Sequence, residues 1–221
     1  MMRCAHPNIV ALLDIAEFEH AGTNYEYLIE TFMDGGTLDD RLKYGLLGRN
    51  EALALGDELI AAVGHIAEKE LVHRDFKPAN IMYLATGTEA LVGDFGIVRD
   101  LTKESLTNSY LQLGPGTPFF AAPEQLSNQK TLIDWRTDQF AIGVTIAVAH
   151  FGLHPYQQDG DNVGQVIGRV VGRNGPSAMF IRAAEGDLLP VLFKMVAPWP
   201  VGRFRTPNEL KGAWRAQKDL N

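Results

Sequence analysis

His73-Arg74-Asp75-Phe76-Lys77-Pro78-Ala79-Asn80 is the stretch on which the fold turns. It packs a carboxylate, a lysine and a primary amide into one loop turn. The chain around it has 221 residues, 46% of them hydrophobic and 21% charged. That is long enough for one domain with a sizeable core and ordinary for a soluble globular protein. The net charge of −7 argues against a general nucleic-acid or membrane-surface binder. Cys4 is alone, which excludes an intrachain disulfide or a cysteine metal cluster and fits a reducing, cytoplasmic setting. It reads as a small packed residue. The first residues lack the basic-then-apolar run of a signal peptide. The longest apolar run, 140–153, is too short to cross roughly 30 Å of hydrocarbon and reads as a buried helix, so no membrane segment is expected. No repeat or low-complexity segment suggests a second domain.

The groups of the loop suit phosphoryl transfer. That chemistry needs an acceptor for a hydroxyl proton, a cation beside the moving phosphoryl group and an oxygen ligand for magnesium. Asp94-Phe95-Gly96 follows shortly, then Gly116-Thr117-Pro118 and Ala122-Pro123-Glu124. Together these residues resemble the catalytic half of a eukaryotic-type (Hanks-type) serine/threonine protein kinase. The resemblance runs from about His6 to the carboxyl end. It implies an α+β, protein-kinase-like fold: a mainly helical large lobe (34–221) with a remnant β-hairpin of the small lobe and the start of the hinge (1–33). It also implies ATP and Mg2+ as cofactors and a protein substrate with a Ser or Thr acceptor.

Roles follow from the same resemblance. Asp75 would accept the hydroxyl proton and Lys77 would neutralise charge on the transferring group. Asn80 and Asp94 would bind magnesium. The main chain at Thr31 and Met33 would hydrogen-bond the adenine edge, with Glu30 or, one register back, Ile29 at the usually apolar gatekeeper position. Arg74 would pair with a phosphorylated Ser105, Thr107 or Ser109, and Thr117 would hydrogen-bond near Asp75 and Lys77. His73, Glu124, Asp138 and Arg203 would be structural: His73 a hub, Glu124 paired with Arg203, and Asp138 fixing the catalytic-loop backbone.

Hydrophobic patterning supplies the elements. Apolar runs at 12–19 and 25–32, separated by Ala21-Gly22-Thr23-Asn24, predict a hairpin. Helices are predicted at 37–44 and 51–69, the second with a broad apolar face. A second hairpin, 81–84 with 90–92, delivers Asp94 opposite Asn80. A buried central helix spans 138–153 and is stopped by Pro155. Residues 159–175 read as glycine-rich and variable, 187–196 as an apolar helix and 207–220 as a final helix. Trp135, Trp199 and Trp214 read as packing residues.

Three parts of the family pattern are absent: a Gly-rich phosphate-covering loop, a strand lysine (the first lysine is Lys43) and a helix glutamate to pair with it. A two-stranded hairpin without its sheet is marginal in water, and its open edge invites a partner strand. The chain therefore reads as a partial catalytic domain whose partner is a missing amino-terminal lobe or another chain. The alternatives are a catalytically inactive kinase-like binding module and a small-molecule phosphotransferase of related fold. Arg74 with Lys77, and the Gly116 and Ala122 motifs, speak against the latter.

Overall fold

The computed structural model describes residues 5–94, 99–100 and 117–220. The first apolar runs form a hairpin of strands β1 (Leu12–His20) and β2 (Thr23–Glu30). Its turn is the two residues Ala21 and Gly22, with φ of 50° and 76°, the mirror-image geometry that matches strand twist. Leu13 is an extra residue in β1, since Leu12 faces Glu30 while Asp14 already faces Ile29. No third strand pairs with either edge among the described residues.

The chain then crosses to the helical body through Gly35-Gly36. Gly35 N–H donates to Tyr83 O (2.9 Å) and Tyr83 N–H donates to Gly36 O (3.0 Å). A Cβ on Gly35 would lie 2.6 Å from the Leu84 carbonyl carbon, so only glycine allows this approach. Helix α1 (Leu38–Leu42) starts at Thr37, whose hydroxyl accepts from Asp40 N–H while the Asp40 carboxylate accepts from Thr37 N–H.

The body is built on α2 (Arg49–Glu68) and α5 (Trp135–Phe151). The apolar face of α2, with Leu55, Leu59, Val63 and Ile66, packs against α5. Residues such as Phe140, Ile142, Val144 and Ile146 bury α5 on all sides, as an all-round apolar helix requires. Gly143 lets α8 (Val191–Met195) close on α5, because a Cβ there would lie 2.8 Å from Val196 Cγ1. Helix α9 (Pro207–Ala216) covers the other side of α2 with Trp214, whose Nε1–H donates to Leu53 O (3.1 Å). Two short ladders flank the loop at 73–80: β3 (Leu71–Val72) pairs with β6 (Arg99–Asp100), and β4 (Ile81–Met82) with β5 (Leu91–Val92). Helices α3 (Thr117–Phe120), α4 (Pro123–Leu126), α6 (Val163–Val171) and α7 (Ala178–Gly186) complete the body. No helix among the described residues is long and apolar enough to cross a membrane.

Several boundaries depart from the patterning. The central helix starts three residues early, because Asp134 caps it by accepting from Arg136 N–H. It is stopped by Gly152 (φ 69°) in the left-handed region, ahead of Pro155. The glycine-rich stretch contains α6, which Asn162 and Gln165 cap reciprocally. The apolar run at 187–196 is not one helix: α7 ends before Leu188, which has φ 55°, and α8 begins at Val191. Helix α9 ends at Ala216 and continues as the 3-10 turn Gln217–Asp219. Trp199 is not core but 49% exposed, with the Arg173 guanidinium 3.8 Å above its ring.

The α2–α9 contact has a sharp test. A Cβ on Gly56 would lie 1.9 Å from Trp214 Cζ2. Gly→Ala inside an open helix would stabilise by about 1 kcal/mol. Here overpacking reverses the sign, and Gly56→Ala should cost about 2–3 kcal/mol. Urea unfolding of the variant measures it, and a gain in stability would refute this packing.

Candidate active site

The loop at 73–80 is held from three sides. Strand β3 delivers His73, which is fully buried. Its Nδ1 accepts from Asp75 N–H (3.3 Å), so Nε2 carries the proton and donates to Gly93 O (3.1 Å). The ring is therefore one neutral tautomer tying the loop to the segment that carries Asp94. Burial lowers its pKa to about 4, against the opposing pull of Asp75. Arg74 has φ 72°, a region costly for a residue with a side chain, and its backbone needs outside support. Asp138 of α5 supplies it: Oδ2 accepts from His73 N–H (2.8 Å) and Oδ1 from Arg74 N–H (2.7 Å). Burial pushes the Asp138 carboxyl up to about 7, outweighing the two N–H groups that favour its ionised form. The third hold is Gln125 of α4, whose Nε2 donates to Arg74 O (2.7 Å).

Within this frame Asp75, Lys77 and Asn80 converge. Lys77 Nζ donates to Asp75 Oδ2 at 2.7 Å. Asn80 Nδ2 donates to the same oxygen at 2.8 Å and to Asp75 O at 3.0 Å. Asp75 Oδ2 is thus engaged twice. Asp75 Oδ1 is buried and has no hydrogen-bond partner among the described residues. Leaving a buried acceptor unpaired costs about 1–3 kcal/mol, so this oxygen is an opening for a further donor. With its amide nitrogen committed, Asn80 has its side-chain oxygen left for a ligand, a donor type suited to a hard cation.

Asp94 is exposed and lies just after Gly93, with φ 60°. Across from it, Glu30 ends β2. Burial, and then the charge of Asp94, raise the Glu30 pKa. Glu30 is half-buried while Ile29 is 41% exposed, so Glu30 is the residue of the two that feels the site. Thr31 N–H donates to Ala11 O (2.9 Å). Met33 lies between Thr31 and the Gly35 contact with Tyr83.

The floor under the site is a second buried pair. Arg203 donates to Glu124 through Nη1 (2.6 Å) and Nη2 (3.0 Å), and neither side chain is exposed. Its remaining donors reach Ala197 O and Arg136 O, and Thr137 Oγ1 donates to Glu124 Oε1. Thr117 opens α3, but its side chain lies outside the described residues, as do Phe95, Gly96, Ser105, Thr107 and Ser109. Sequence patterning missed Gln125, Thr137 and Gly93 as supports. Gln125 is adjacent to the Ala122-Pro123-Glu124 motif, but nothing local indicates that it reaches Arg74.

The family described as protein kinase domain matches this chain over residues 1–174. A probable serine/threonine-protein kinase, PknB, of Lactococcus lactis is 31% identical over 163 residues, covering 73% of this chain and 24% of that protein. The serine/threonine-protein kinase PrkC of Bacillus subtilis is 26% identical, covering 93% of this chain and 30% of that protein. A probable serine/threonine-protein kinase, MARK-C, of Dictyostelium discoideum is 30% identical, covering 93% and 25%. The chain thus spans about a quarter to a third of the length of these relatives.

Two stability tests follow. Arg203→Met strands the Glu124 carboxylate and should cost about 3–5 kcal/mol in urea unfolding, whereas adding Glu124→Met to it should recover part of that loss. The second test is a pH slope. His73 and His154 are both held neutral by burial, with pKa values lowered to about 4 and about 3. Their unfolded forms take protons first as pH falls, so each makes stability drop from pH 6.5 downward. Asp138, raised to about 7, acts oppositely: its stability contribution rises as pH falls from 7 towards 4. Among these three buried groups, two histidines against one carboxyl leave a net loss on acidification. His154→Gln should flatten the slope between pH 6.5 and 4, and an unchanged slope would refute the assignment.

Proposed function

The chain belongs to the protein kinase domain family, and on that premise we propose that it transfers the γ-phosphoryl group of ATP to serine or threonine hydroxyls of protein substrates. The observation that carries this reading is the buried Asp75 Oδ1, without a hydrogen-bond partner among the described residues, beside Lys77 and Asn80. An incoming hydroxyl is the donor that oxygen lacks. Asp75 accepts its hydrogen bond, orients the oxygen for attack and takes the proton as the new bond forms. The Lys77 ammonium, anchored on Asp75 Oδ2, places positive charge next to that line of approach.

The donor set fits the cofactors the family implies. Asn80 and Asp94 offer side-chain oxygens that would hold Mg2+, and the main chain at Thr31 and Met33 would meet the adenine edge. When bound, magnesium-ATP supplies the phosphoryl group and a counter-charge for it. In this reading residues 1–33 are a remnant of the small lobe with the start of the hinge, and 34–221 the large lobe. Arg74, at the centre of the held loop, would receive a phosphate placed on Ser105, Thr107 or Ser109, ordering the segment before Thr117.

Calorimetry of the 221-residue chain with ATP, with and without magnesium, tests the proposal. Asp94→Ala should abolish magnesium-dependent binding. Asp75→Asn should retain it while lowering phosphorylation of a serine/threonine peptide mixture by at least ~10²-fold. A folded chain that binds no nucleotide would overturn the reading, as would an Asp75→Asn variant of full activity.

A further inference from the structure

Proline at the first position of α4 fixes where that short helix begins, and the helix then turns successive side chains by about 100°. Glu124 points to Arg203, so Gln125 must point to a different neighbour. That neighbour is the loop at 73–80. Gln125 is 4% exposed, its N–H donates to Ala122 O (3.0 Å), and its Nε2 donates to Arg74 O (2.7 Å). The glutamine amide meets this oxygen through its nitrogen, because a carbonyl oxygen only accepts.

Arg74 O belongs to the peptide that joins Arg74 to Asp75. A trans peptide is planar, so holding its two ends fixes its plane. At the other end Asp75 N–H donates to His73 Nδ1 at 3.3 Å. That bond is the longer of the two, which makes Gln125 the firmer hold. Asp138 holds the two preceding peptides, through the N–H groups of His73 and Arg74. The tilt of the Arg74–Asp75 plane sets ψ of Arg74 and φ of Asp75. It therefore sets the direction in which the Asp75 side chain leaves the backbone. Arg74, at φ 72°, is strained and would turn this peptide if the grip were released. Gln125 is itself well anchored. Glu124 beside it is locked on Arg203, and Glu124 O accepts from Gln129 N–H (2.9 Å).

We propose that Gln125 is a positioning residue for Asp75. It holds the Arg74–Asp75 peptide in the orientation that brings the Asp75 carboxylate to Lys77 and Asn80. It touches no reacting atom and acts through the backbone, tying α4 to the loop. Its bearing on phosphoryl transfer rests on the kinase reading above, whereas the positioning itself does not.

Backbone amide exchange of the 221-residue chain, followed by NMR, reads the positioning directly. Gln125→Leu keeps most of the bulk and removes the donor. Exchange at Asp75 should become at least ~10-fold faster, while Ile142 and Val144 in α5 keep their native rates. Gln125→Glu is a reversible counterpart. As a neutral acid it donates to Arg74 O, and as a carboxylate it only accepts and repels that oxygen. Compared with the native chain at the same pH, its Asp75 protection should be native-like at about pH 5 and lost at about pH 9. Native protection of Asp75 in the Leu variant would overturn the proposal. So would a pH-independent ratio in the Glu variant, or equal acceleration at Asp75 and in α5, which marks a merely structural loss.

Turnover supplies a second readout. With a serine/threonine peptide mixture, Gln125→Leu should lower kcat at least ~10-fold and leave calorimetric magnesium-ATP affinity at its native value. A native kcat, or a loss confined to nucleotide affinity, would also count against positioning. A native chain that transfers no phosphoryl group would defeat the kinase reading instead, and the exchange rates would still decide the role of Gln125.

Discussion

Two backbone N–H groups, those of His73 and Arg74, end on one buried carboxylate. The rest of the site depends on this arrangement. Arg74 sits at φ 72°, a conformation the loop would leave if nothing held it. Asp138 holds it from α5, and α5 is itself fixed by α2 on one side and by α8 across Gly143 on the other. The arrangement is costly. Burial raises the Asp138 pKa to about 7 even though two N–H groups solvate its ionised form. A fold that tolerates such a group in its centre gains a loop of one shape. Asp75 then meets Lys77 and Asn80 with one oxygen engaged and the other left open.

Glu124 and Arg203 give that loop a floor. All three guanidinium nitrogens are engaged, and the ring of Phe140 lies 4.8 Å from its centre. Floor and loop belong to the part of the chain outside residues 5–40, which is close to neutral with 20 Lys and Arg against 19 Asp and Glu. The hairpin differs: two strands with no third strand paired to them among the described residues, exposed aromatics and nearly all of the net negative charge. The loop at 73–80 is supported by the helical body through Asp138 and Gln125. Glu30 and Asp94 bring two carboxylates together across this boundary, which is why the Glu30 carboxyl is harder to ionise than a free one.

Much of the site was legible because its residues are near neighbours in the chain. Asp75, Lys77 and Asn80 fall in one loop turn, so their convergence needs no knowledge of the fold. The two strands around Ala21-Gly22 and the amphipathic α2 were legible from local periodicity in the same way. The errors came where a cap or a single φ decided an end. Gly152 stops α5 ahead of Pro155, and Leu188 at φ 55° separates α7 from α8 inside one apolar run. The Asn162–Gln165 cap starts a helix in a glycine-rich stretch to which the patterning assigned no element. Trp199, read as a packing residue, packs at the surface, under the Arg173 guanidinium.

By itself the sequence determined the chemistry available, the order of the main elements and the uneven charge, because composition, spacing and periodicity are properties of neighbours. Only the tertiary structure decided which oxygen of Asp75 has no partner among the described residues, that Gln125 reaches the Arg74 carbonyl, and that Glu30 rather than Ile29 feels Asp94. Each of these is a contact between residues far apart in the chain, or the absence of one. Such contacts are set by how α2, α5 and α9 pack, through close approaches such as those at Gly35, Gly56 and Gly143 that no local pattern encodes.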